Sequence, residues 1–138
     1  MEIQEYDNKY KESVISLWRE CGLVIPQNNP EKDIERKLQV DRDLFLVGLL
    51  GNEVIASVMG GYEGHRGWIN YLAVKPEHKR KGYGQSIMQA VETLIHNKGC
   101  PKINLQVRTS NETVIKFYES IGYGNDNVVG LGKRFDFD

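Results

Sequence analysis

The chain has 138 residues, 40% hydrophobic and 27% charged, with 18 lysines and arginines against 19 aspartates and glutamates. That length suits one domain with a real core, residues 1–138, and the composition is that of an ordinary globular protein rather than a disordered one. A net charge of −1 argues against a general binder of nucleic acid or of anionic membranes.

Cys21 and Cys100 are too few and too distant for a secreted disulfide framework, and neither belongs to a Cys-x-x-Cys pair. The opening residues lack the basic-then-apolar order of a signal peptide. The longest apolar tract, residues 44–50, is far short of a membrane span. These features predict a soluble, cytoplasmic protein.

In chain order, residues 2–6 are a weak strand candidate, and Asp7 is a capping residue. Val14, Leu17, Trp18 and Cys21 then fall on one helical face that Gly22 ends. Asn29-Pro30 opens a second helix carrying Ile34 and Leu38. Residues 44–50 and 54–62 flank Gly51-Asn52 as a hairpin, and 68–74 adds a third antiparallel strand. From Gly82 the period becomes helical: Ile87, Val91, Leu94 and Ile95 predict a helix over 83–97, stopped near Gly99 and Pro101. Ile103, Leu105 and Val107 alternate as a strand, Val114, Phe117, Tyr118 and Ile121 mark a last helix ended by Gly122, and 128–135 is expected as a closing strand. The order β-α-α-β-β-β-α-β-α-β defines a mixed α/β domain, with the strands at 68–74 and 103–107 parallel across their helical crossover.

Residues 72–84, LAVKPEHKRKGYG, concentrate the chemistry. A strand enters a basic loop with two glycines, and a helix begins. Glycine lets backbone amides converge without a Cβ in the way, and a helix start offers unpaired N–H groups and partial positive charge. With Lys75, Lys79, Arg80 and Lys81 around them, those amides make a cradle for phosphate or pyrophosphate; the plainer reading is a solvated charge run on a strand–helix connection. A dinucleotide fingerprint fails, because Ile87 stands where its third glycine belongs and Lys102 where its acidic residue belongs. A P-loop pattern is absent.

Strand, Val-x-Pro-Glu, basic residues and Gly-x-Gly entering a helix resemble the acetyl-CoA-binding motif of the GNAT superfamily of N-acetyltransferases. The family pattern Gln/Arg-x-x-Gly-x-Gly/Ala reads here Lys79-Arg80-Lys81-Gly82-Tyr83-Gly84, with Lys79 departing from the usual Gln or Arg. Residues 111–123, NETVIKFYESIGY, resemble the family's Asn-x-x-Ala-x-x-Phe-Tyr-x-x-x-Gly-Phe segment, with Val114 in place of Ala. Residues 59–67 and 131–134 are similar to a small bacterial branch of the family, the YpeA type.

The resemblance implies the acyl-CoA N-acyltransferase fold, a mixed, centrally splayed sheet flanked by helices. It implies a bulge within Leu72, Ala73 and Val74, whose free amides would bind the pantetheine arm, one near Leu72 polarising the thioester oxygen. Amides from Arg80 to Gln85 (Arg80, Lys81, Gly82, Tyr83, Gly84, Gln85) would hold the pyrophosphate, with Lys79 beside them. Asn111 would cap the last helix and touch the cofactor arm. Tyr118, otherwise a core tyrosine, would protonate the departing thiolate. The general base stays open among Glu63, His65, Asn70 and Tyr71, with Glu63 the nominee. The histidines and cysteines show no metal-ligand spacing, so no metal is expected.

The implied function is transfer of an acetyl group from acetyl-CoA, the cosubstrate, to a primary amine by direct attack. The absence of a Gly-x-Ser-x-Gly nucleophile motif agrees. One alternative is a catalytically idle acyl-CoA-binding regulatory module; another is a small nucleic-acid binder using residues 75–81, which the balanced charge disfavours. The acceptor would be a small-molecule or peptide amine, with residues 22–33 and 62–68 expected to line its site, and the protein a monomer or homodimer.

Overall fold

The computed structural model describes residues 1–138, which divide into two compact units: residues 1–104 together with Asp138, and residues 105–137. The larger unit is built on five strands in the order β1-β2-β3-β4-β5: β1 (Glu2–Glu5), β2 (Phe45–Leu50), β3 (Glu53–Tyr62), β4 (Gly67–Val74) and β5 (Ile103–Asn104). Strands β1 to β4 pair antiparallel, and β4 pairs β5 in parallel. Helices α1 (Lys11–Glu20) and α2 (Pro30–Lys37) precede β2, and α3 (Tyr83–Asn97) crosses from β4 to β5.

The two faces of the sheet are covered by different helices. Trp18, Val14 and Leu17 of α1 and Ile34 of α2 form a buried cluster with Phe45, Val47, Met59 and Ala73. On the other face, α3 presses close enough that a Cβ on Gly60 would sit 2.6 Å from Val91 and one on Gly67 would sit 2.9 Å from Ile95. Cover on both faces explains why β2 and the middle of β3 are buried throughout instead of alternating, with Ser57 the one side chain among them that carries a hydroxyl. Helix starts follow their sequence signals: Asn29 accepts from the Lys32 amide ahead of Pro30, and Asp7 accepts from the Lys9 amide over a short 3-10 turn.

The smaller unit contains α4 (Glu112–Ser120), capped by Asn111. The closing strand expected at 128–135 does not form, and Val128, Val129, Leu131 and Phe135 are exposed. β-branched and aromatic residues encourage a strand, but a strand exists only through pairing, and Gly130 and Gly132 weaken the preference further. The strand expected over 103–107 is paired only at Ile103 and Asn104. No helix is long and apolar enough to cross a membrane.

Candidate active site

The register between β3 and β4 slips in mid-strand: Met59 opposes Asn70 and Ser57 opposes Ala73, so Tyr71 and Leu72 together stand against Val58. This bulge falls at the leading edge of the stretch expected to carry it. Tyr71 is left-handed there (φ 51°), an uncommon state for an aromatic residue that costs roughly 1–3 kcal/mol and persists only where neighbours enforce it. The neighbours are visible. The Ser57 hydroxyl donates to the Tyr71 carbonyl at 3.0 Å and accepts the Trp18 indole N–H at 2.8 Å. The Tyr71 ring stacks on Trp18, and its hydroxyl donates to Asp33 Oδ2 at 2.6 Å. Burial, reinforced by the Asp33 carboxylate, holds the Tyr71 phenol well above its ordinary pKa, so it stays a donor.

On its other edge β4 leaves its partner early. Only Gly67↔Ile103 and Trp68↔Asn104 pair, so residues 69–74 run past the bulge with no β5 rung. A parallel pair that parts beside a bulge exposes main-chain donors and acceptors suited to an amide-bearing, extended ligand arm.

Beyond Val74 a 3-10 turn, Pro76–His78, leads into the basic loop. Arg80 (φ 65°) and Gly82 (φ 82°) are both left-handed, a backbone pattern of the kind that forms anion-binding concavities, just before α3. Gly82 caps α3 without a side-chain hydrogen bond, and nothing lies within 4 Å of where its Cβ would be. The first-turn amides of a 15-residue helix thus meet an open cradle, with Lys79, Arg80 and Lys81 exposed around it. These residues fit a pyrophosphate: donors from the backbone, cations from the loop and no Cβ at the turn.

Lys75, grouped with those cations by sequence, is engaged elsewhere. Its ammonium lies 2.6 Å from Glu53 and 3.4 Å from Glu77, which holds Lys75 above and Glu53 below their ordinary pKa values, mainly through the direct hydrogen bond. Glu53, Glu77 and His78 bring ligand atoms within 4.8 Å of one another, a grouping that spacing along the chain does not reveal. Lys75 already supplies a cation to both carboxylates there.

Glu63 sits in the β3–β4 turn, where Oε1 accepts from the amides of His65 (2.9 Å) and Arg66. Its immediate job is to close that turn, with Oε2 outside those bonds. Within residues 105–137, Asn111 Oδ1 accepts from the Val114 amide at 3.3 Å, and Tyr118 is buried between edge-on contacts with Phe117 and Tyr123. Burial pushes the Tyr118 phenol up to about 12.

A sheet that opens beside a bulge, followed at once by a left-handed turn into a helix start, is an arrangement suited to a phosphorylated ligand with an extended arm. Comparison with known proteins specifies the class further. The family model for the acetyltransferase (GNAT) family matches residues 11–123. An acetyltransferase of Sodalis glossinidius is 47% identical over 135 residues, 97% of this chain and 95% of its own. An acetyltransferase of Pectobacterium atrosepticum is 46% identical over 134 residues, with the same coverage. Among solved structures, the aminoglycoside acetyltransferase AAC(6')-Iy, in complex with the bisubstrate analogue CoA-S-monomethyl-acetylneamine, shares the fold with a TM-score of 0.79. Identity is 18%, covering 97% of this chain and 98% of that one. Ard1 from Thermoplasma volcanium matches with a TM-score of 0.74 at 22% identity, covering 88% of this chain and 80% of that one. The chain belongs to the acetyltransferase (GNAT) family.

Proposed function

We propose that this acetyltransferase moves the acetyl group of acetyl-CoA onto a primary amine by direct attack, with the whole chain acting as one transferase domain. The observation that carries the reading is the bulge at Tyr71 and Leu72 on a strand that leaves β5 after Asn104 and leads into the amide cradle at Gly82. The CoA-linked analogue held by the AAC(6')-Iy neighbour supports CoA as the ligand and a small-molecule amine as the acceptor.

In this reading acetyl-CoA supplies an activated thioester. The amides of Arg80, Lys81, Gly82, Tyr83, Gly84 and Gln85 hold the pyrophosphate, with the Lys79 side chain alongside. Main-chain groups of Leu72, Ala73 and Val74 take the pantetheine arm, and Asn111 contacts that arm. An amide near Leu72 stabilises the carbonyl oxygen as it gains negative charge. The amine nitrogen forms the new C–N bond as the C–S bond breaks; the amine proton passes through water to Glu63, and the Tyr118 hydroxyl protonates the thiolate. A lysine-type amine must give up its proton at a cost of about 4–5 kcal/mol at pH 7, an α-amine only about 1, so an α-amine makes little demand on the base.

The test is thiol release from acetyl-CoA across peptide N-termini, lysine peptides, polyamines, aminoglycosides and amino acids, with both substrates varied. Intersecting initial-rate lines and no acetylated enzyme by intact mass are expected. Parallel lines with an acetyl-enzyme would overturn direct attack.

A further inference from the structure

Arg36 on α2 grips a carboxylate with both ends of its fork: Nη2 donates to Asp138 Oδ1 at 2.7 Å and Nη1 to Asp138 Oδ2 at 3.0 Å. Nη1 also donates to Asp33 Oδ1 at 3.2 Å, and Asp33 Oδ2 accepts from the Tyr71 hydroxyl. A guanidinium, a carboxylate and a phenol therefore stand in series, ending on the residue whose backbone makes the bulge. The Asp138 side chain is only 15% exposed, whereas that of Arg36 remains 59% exposed. Exposed ion pairs add little to stability, but a bidentate guanidinium–carboxylate contact is selective for a planar carboxylate. The arrangement is a recognition device more than a brace.

We propose that Arg36 is a carboxylate receptor for the acceptor, that the acceptor is a free amino acid, and that Asp138 competes with it for the same guanidinium. The inference rests on the acetyl-transfer reading and narrows its substrate. The acceptor's carboxylate replaces that of Asp138 on Arg36, and its amine lies toward Asp33, whose other oxygen holds the Tyr71 hydroxyl. Asp33 attracts the protonated amine, and the neutral amine is the form that attacks. Charge complementarity is complete: one cation on the protein for the carboxylate, one anion for the ammonium group.

The test compares the twenty amino acids with their carboxamides on the intact protein and on Arg36→Gln and Asp138→Asn. Saturation-transfer NMR follows binding in the presence of CoA, and thiol release follows turnover. At least one amino acid should bind and react in preference to its amide. Arg36→Gln should raise its KM at least tenfold while leaving the KM of the amide unchanged, and Asp138→Asn should lower its KM several-fold with kcat unchanged. The opposite directions of the two variants separate recognition from misfolding. If no amino acid binds better than its amide, or if Arg36→Gln affects acid and amide equally, the proposal fails while turnover of other amines would leave acetyl transfer intact. Carboxylate-selective binding without thiol release from any amine would leave the receptor standing and remove the transfer reading.

Discussion

The indole of Trp18 lies against the ring of Tyr71, centroids 3.8 Å apart and planes 14° from parallel, while its N–H donates to Ser57, which in turn donates to the Tyr71 carbonyl. One side chain of α1 thus fixes both the ring and, through Ser57, the backbone of the residue that distorts β4. Ser57 is fully buried, so this polar chain has no water to fall back on.

Ser57→Ala deprives two groups of their partner, the buried Trp18 N–H and the part-buried Tyr71 carbonyl. At about 1–3 kcal/mol for each unsatisfied group, a loss of roughly 2–6 kcal/mol is expected in urea unfolding, with a fall in kcat as the bulge relaxes. A loss below half a kcal/mol, on the order of an ordinary surface change, would show that the chain does not hold the bulge.

Gly67→Ala examines the join between β4 and β5. The added Cβ would lie 2.9 Å from both Ile103 Cγ1 and Ile95 Cγ2, so strand and helix must move apart. Overpacking of this kind costs about 1–3 kcal/mol. Thermal unfolding should show it as a lowered Tm; an unchanged Tm would mean the join has slack.

Gly82→Ala meets no atoms within 4 Å, so its effect comes through the backbone alone (φ 82°). Holding alanine left-handed costs about 1–2 kcal/mol, and relief of that strain would swing the cradle amides away. The KM for acetyl-CoA should rise several-fold while kcat changes little. A loss of stability with an unchanged KM would detach this turn from phosphate binding.

For Tyr118, a phenol pushed up to about 12 is protonated throughout the assay range, the state a proton donor needs. Tyr118→Phe should lower turnover at least tenfold while acetyl-CoA still binds, and the wild-type profile should show no loss of this acid below about pH 11. Unchanged turnover would take Tyr118 out of the reaction.

The same shift predicts an alkaline stability limb. The folded protein keeps the Tyr118 proton between pH 10 and about 12 whereas the unfolded chain releases it, so the contribution is full below pH 10 and is lost as pH rises through 12. Wild type should lose about 1–3 kcal/mol more than Tyr118→Phe across that window in denaturant titrations; equal losses would place the phenol in a wetter setting.

Local signals made most elements readable. The Gly51-Asn52 turn marked the hairpin, Gly82 and the spacing of Ile87, Val91 and Ile95 marked α3, and Asn29 and Asn111 marked their helices. What escaped is set by tertiary pairing. The left-handed state of Tyr71 depends on Trp18 and Ser57, which are distant in sequence, and Lys75 is drawn from the loop by Glu53, 22 residues upstream. Arg36 and Asp138, 102 residues apart, carry no shared motif. Glu63 stood out by its charge, yet its contacts are turn amides. The missing strand at 128–135 shows the converse: β-branched and aromatic residues are present, but a partner strand is not.

The measurement that bears most directly on acetyl transfer follows a carbon-13 acetyl label from acetyl-CoA in the presence of protein and amine. The label should leave the thioester and appear as an amide in proportion to the thiol released. Thiol appearing with free acetate, or saturable acetyl-CoA binding with neither thiol nor amide for every amine, would contradict it.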